Sequence, residues 1–152
     1  MHILSTLRRR VLAAAARLRV LPPLLARLGV GLAFVQTGWG KLHSLDQVTD
    51  YFRSLGIPFA AVQAPFVAAL ELVCGALLIV GLATRGAAMM LIGTMVVAIA
   101  TAILPDVAGV GELFGTIEAL YVVIFLYLAV GGAGRLSLDT LVARRLDRID
   151  ET

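Results

Sequence analysis

The chain has 152 residues, 60% hydrophobic and 15% charged, with a net charge of +3 and a mean hydropathy of +0.95. Such a composition excludes an ordinary soluble domain and points to a single integral membrane domain with the lipid bilayer as its first partner. A lone cysteine, Cys74, excludes an internal disulfide and a CxxC redox pair, and the charge pattern gives no nucleic-acid surface.

Residues 1–20 form a basic N-terminal segment with Arg8, Arg9, Arg10, Arg17 and Arg19. Positions 7–19 suit an amphipathic helix on the inner membrane surface, with Leu7, Val11, Ala14 and Leu18 on its apolar face. Arg17 and Arg19 interrupt the apolar region too early for a cleaved signal peptide. Residues 21–134 then carry four apolar blocks: Leu21–Lys41, Ile57–Thr84, Gly86–Leu104 and Leu113–Ala133. Each is long enough to cross about 30 Å of hydrocarbon as a helix. The expected fold is therefore all-α, an integral membrane four-helix bundle with short interfacial helices.

The connections have their own signals. Leu45, Val48, Phe52 and Leu55 recur at helical spacing opposite Asp46, Gln47, Asp50 and Arg53, which predicts a short surface helix stopped by Gly56 and Pro58. Trp39 and Tyr51 fall where an aromatic belt would lie. Arg85 and Gly86 predict a tight turn between blocks two and three, and Pro105-Asp106 ends block three. Residues 135–152, with charges of both signs, read as a surface-lying tail. Basic residues concentrate in the N-terminal segment, at Arg85 and in the tail, which places both termini in the cytoplasm of a bacterial cell.

Within the spans, Arg27, Glu71 and Glu118 need partners, because a charge at the bilayer centre costs about 2.5–3.5 kcal/mol. With outer boundaries set near Lys41, Phe59, Leu104 and Phe114, Glu71 and Arg27 lie about 18 and 21 Å deep, and Glu118 about 6 Å. These depths predict two couples: a structural Arg27–Glu71 ion pair, and Lys41–Glu118 near the outer surface. Arg27, Gly31, Phe34, Gly38 and Lys41 form one stripe on span one, whose glycines permit close helix approach. Glu71, Cys74 and Gly75 share a face of span two, and Glu118 and Tyr121 a face of span four. Lys41, Glu118 and Tyr121, with Gln36, are the candidate ligand-binding residues, since a ligand can reach them from the outer surface. Cys74 reads as a packing residue. His43, Asp46 and Asp50 read as a solvated loop face, so no metal site is expected, and His2 and His43 do not suit haem ligation. Phosphate loops, dinucleotide fingerprints and nucleophile elbows are missing from the sequence.

The ordered set Arg27-Leu28-Gly29, Phe34, Gly38-Trp39-Gly40-Lys41-Leu42, Tyr51-Phe52, Leu55-Gly56-Ile57-Pro58, Glu71-Leu72, Gly81-Leu82-Ala83-Thr84-Arg85, Glu118 and Gly131 through Asp139 is distinctive as a whole. Over roughly residues 21–142 the chain resembles the DoxX family of small four-span bacterial membrane proteins. That resemblance implies a link to quinone-dependent oxidoreductase systems of the cell envelope, with membrane or soluble oxidoreductase subunits as partners. A cofactor-free subunit or scaffold is the leading expectation, since no cofactor motif is identified. A quinone- or lipid-binding enzyme is the alternative, the quinone needing only donors such as Lys41, Tyr121 or Arg27. A small-solute or proton carrier using Glu71 is the third. A small-residue face on span three (Ala87, Ala88, Ala98) leaves room for a homo-oligomer.

Overall fold

The computed structural model describes residues 18–150, and the helix anticipated at 7–19 lies almost wholly outside them. Every regular element among the described residues is helical. Pro22 and Pro23 open α1 (Leu21–His43), where the missing N–H groups cost nothing. Ser44 then starts α2 (Leu45–Ser54), the amphipathic loop helix expected from the sequence. Gly56 at φ 72° and Phe59 at φ 53° redirect the chain into α3 (Ala60–Val80). α4 (Thr84–Ala98) continues into one π-helical turn, Ile99–Ile103, closed by the Leu104 N–H donating to the Ile99 carbonyl at 2.8 Å. The short α5 (Val110–Leu113) leads to α6 (Ile117–Gly131), which Thr116 caps by accepting from the Ala119 N–H. The tail forms α7 (Leu138–Asp150).

α1 packs chiefly on α3, and α4 on α6. The two pairs join through α3 against α4 and, less extensively, α1 against α6. The common core holds Val30 and Phe34 of α1, Cys74 and Leu78 of α3, Leu91 and Met95 of α4, and Phe125 and Leu128 of α6. Glycines set the α1–α3 approach: a Cβ on Gly38 would meet the Leu72 nitrogen at 2.5 Å, and one on Gly31 the Gly75 carbonyl oxygen at 2.9 Å. Only hydrogens fit between these backbones. α3 and the α4 segment Thr84–Ile103 are each long and apolar enough to cross a membrane, while α6 is apolar but only 15 residues long.

The turn between α3 and α4 differs from expectation. Gly81, at φ 70°, ends α3 in a Schellman motif: its N–H donates to Leu78 O and that of Leu82 to Leu77 O. The break therefore falls at Gly81–Ala83, and Arg85 and Gly86 lie inside α4. Ala83 has no side chain able to cap α4. The cap comes from the tail, where the Asp139 carboxylate accepts from the Ala83 N–H at 2.7 Å and the Thr84 N–H at 3.1 Å. The Asp139 N–H in turn donates to Gly81 O. The stretch Gly132–Asp139 thus folds back and fastens to the α3–α4 turn, a contact that its charge pattern alone did not announce.

Candidate functional site

Both sequence-derived ion couples are corrected by the structure. Lys41 Nζ donates to Glu71 Oε1 at 2.6 Å, forming a salt bridge between α1 and α3. Arg27, only 1% exposed, instead donates through Nη2 to the Leu136 carbonyl at 2.6 Å. Glu118 is half-buried and has no hydrogen-bond partner among the described residues. Neither Arg27–Glu71 nor Lys41–Glu118 forms.

The physical reason is helix register. Gly38 faces the α3 backbone between Ala68 and Leu72, and Gly31 faces Gly75 and Ile79. Continued one turn, this alignment sets Lys41 level with about Val67 rather than Phe59, an offset of eight residues or about 12 Å. α3 therefore rises well beyond the end of α1, with α2 packed against it. Glu71 then lies about 6 Å below the Lys41 Cα, within reach of a lysine stem. The same register carries Arg27 past Glu71 to Gly81, where any Cβ would collide with the guanidinium.

The Lys41–Glu71 pair lies on the wall of a cavity of about 880 Å³ between α1, α2, α3, α4 and α6. That size lies within the usual range for small-molecule sites. One wall is the α4 stripe Met90, Thr94, Val97, Ala98 and Thr101, which runs into the π turn. π turns inside α-helices occur often at functional sites. Phe34, Tyr121 and Glu118 also line it; Phe34 and Tyr121 meet edge to face with centroids 5.1 Å apart. At the α2 end, Tyr51 and Gln47 complete the lining.

The structure thus brings Lys41, Glu118 and Tyr121 to one cavity and adds Glu71 to them. Gln36 is not part of it: its side chain is on the exposed face of α1. The α4 wall was missed. Its signal was Thr94 and Thr101, seven residues apart in an apolar block and so on one helix face. Glu71 is 2% exposed, and its second oxygen, Oε2, has no hydrogen-bond partner among the described residues. No group of three or more His, Cys, Asp or Glu that could hold a metal occurs among the described residues.

The regular structure among the described residues is thus helical, with two helices long and apolar enough to cross a bilayer and a charge pair on the wall of an apolar cavity. The DoxX family pattern matches residues 23–104, more than half of the chain. The protein belongs to the DoxX family. Among its relatives, the uncharacterized membrane protein Rv3486 of Mycobacterium tuberculosis is 35% identical over 130 residues, covering 78% of this chain and 80% of its own length. CatD of Bacillus subtilis, named as a candidate oxidoreductase, is 31% identical, covering 78% and 85%. The inner membrane protein YphA of Escherichia coli is 30% identical, covering 76% and 86%. No solved structure matches the chain.

Proposed function

We propose that this protein crosses the bacterial cytoplasmic membrane four times, with both termini in the cytoplasm. In this reading it holds a quinone-class ligand for an envelope oxidoreductase system. The carrying observation is the apolar cavity of about 880 Å³ with a buried carboxyl, Glu71, on its wall beside Lys41. Its aromatic and methyl-bearing lining suits a ring with an alkyl tail. Lys41, Tyr121 and Glu118 supply hydrogen-bonding groups that would hold the ring oxygens. Redox chemistry then belongs to an associated oxidoreductase, a membrane or soluble partner, consistent with the name given to CatD. α1 and α6 complete the four spans around α3 and α4, and the arginines of residues 1–20, Arg85 and the tail support the orientation.

The test is purification from native membranes followed by organic extraction and quantification of quinone against phospholipid. The wild-type protein should retain quinone well above the ratio in the surrounding membrane. Thr94→Phe, which fills the α4 wall without touching the Lys41–Glu71 pair, should lose that excess while remaining folded. A quinone ratio equal to bulk lipid in the wild type refutes the assignment.

A further inference from the structure

The serine and threonine hydroxyls of the cavity wall are one-sided in their hydrogen bonding. Four hydroxyls on that wall spend their protons on backbone carbonyls three or four residues back: Ser44 donates to Gly40 O, Thr37 to Phe34 O, Thr94 to Leu91 O and Thr101 to Val97 O, at 2.8–3.2 Å. Each therefore has only lone pairs left for a ligand. Gln63 gives one of its two amide N–H groups to Pro58 O and keeps the other. The carboxylates add further acceptors: Oε2 of Glu71 is buried without a partner, and both oxygens of Glu118 are free of hydrogen bonds among the described residues. On the donor side stand Lys41, which gives one of its three N–H groups to Glu71, the second N–H of Gln63, the Tyr121 hydroxyl, and Tyr51 and Gln47 at the α2 end. Glu71 Oε2 is the buried acceptor of this wall that no donor meets among the described residues.

A buried acceptor without a donor carries an unrecovered desolvation cost, larger when it is charged. A ligand that brings an O–H group to Glu71 removes that cost, whereas one that brings only carbonyls leaves Oε2 unmet. We infer that the site selects ligands by their hydroxyl donors, and so takes the dihydroxy (quinol) form of a quinone-class ring in preference to the dicarbonyl form. The inference rests on the proposed cavity function and specifies which member of the couple the resting site receives. Glu71 Oε2 is the acceptor that sets the preference, and Glu118 adds to it.

The decisive experiment is equilibrium binding to the full-length protein in lipid nanodiscs. Three probes are compared: a decyl-tailed benzoquinol kept reduced under argon, the corresponding benzoquinone, and the quinol's dimethyl ether. The ether keeps the reduced ring but has no O–H. The quinol should bind at least tenfold more tightly than both others. Glu71→Gln, which can turn an N–H toward the cavity, should reduce the quinol-to-quinone preference at least tenfold. Glu118→Gln, whose wild-type side chain makes no bond to lose, should reduce it by a smaller factor and serves if Glu71→Gln fails to fold. Equal affinity for the three probes, or tighter quinone binding, overturns the donor rule while leaving the cavity assignment standing. No binding of any probe overturns both.

Discussion

Gly38→Ala offers the sharpest test of how this fold positions its charge pair. The added Cβ would stand 2.5 Å from the Leu72 nitrogen, 2.8 Å from the Ala68 oxygen and 2.9 Å from the Leu72 Cα, all backbone atoms with no side chain able to yield. Restoring ordinary contact at 3.4 Å requires the helices to separate locally by 3.4 − 2.5, about 0.9 Å. Overpacking of this kind costs about 1–3 kcal/mol. Gly40 lies two residues on in the same helix and has nothing within 4 Å of its added Cβ. Both substitutions gain the same alanine helix propensity, about 0.5–1 kcal/mol, so it cancels in the comparison. Gly38→Ala should therefore be about 1–3 kcal/mol less stable than Gly40→Ala in reversible unfolding by SDS in mixed micelles. The same separation would stretch the 2.6 Å Lys41–Glu71 bond towards 3.5 Å, because Glu71 adjoins the displaced Leu72. Ligand affinity should fall in step with stability. Equal stability of the two variants would refute the backbone-contact account of α1–α3 packing.

Three further substitutions probe other parts of the structure. Lys41→Met leaves the Glu71 carboxylate buried without its cation and should cost about 3 kcal/mol, the low end for a broken buried pair because the Lys41 side chain is 32% exposed. The double variant Lys41→Met/Glu71→Leu should recover most of that loss, so additive losses in the unfolding cycle would contradict the pairing. Asp139→Ala removes the cap on Ala83 and Thr84 and should cost about 0.5–2 kcal/mol. Trypsin should then cut at Arg135 faster than in the wild type, whereas an unchanged cleavage rate would argue against the folded-back tail. Gly81→Ala puts a side chain at φ 70° and into the Arg27 guanidinium, so its yield of folded protein should drop sharply, while Gly86→Ala, with open space around the added carbon, should match the wild type.

Much of the helical framework was legible from hydropathy alone. The observed α1, α3, α4 and α6 fall within a few residues of the four apolar blocks, and α2 sits where the amphipathic spacing placed it. The buried stripe on α1 was legible too, since Arg27, Gly31, Phe34 and Gly38 all lie inside. The α3–α4 break was displaced because a borrowed carboxylate, Asp139, lets α4 begin at Thr84. A cap supplied by a residue 55 positions away leaves no local signal. The cavity was half legible: Lys41, Glu118 and Tyr121 pointed to it, but the α4 wall depends on how two helix pairs are spaced apart.

The exchanged ion pairs have a more specific cause. Depth measured from the ends of apolar blocks assumes that every span starts at one level, and the α2 connection breaks that assumption for α3. Small residues carry the register more faithfully. Gly31 and Gly38 on α1 are seven apart, as are Ala68 and Gly75 on α3. In antiparallel order Gly31 meets Gly75 and Gly38 meets Ala68, as the backbone contacts show. Once those positions are locked, no freedom remains for the charges. Lys41 stands about one helical turn beyond the level of Glu71 and can bend down to it, whereas Arg27 is carried to the Gly81 turn and takes the Leu136 carbonyl. The salt bridge on the cavity wall is thus a consequence of glycine packing, and this is why substituting Gly38, which bears no charge, should disturb Glu71.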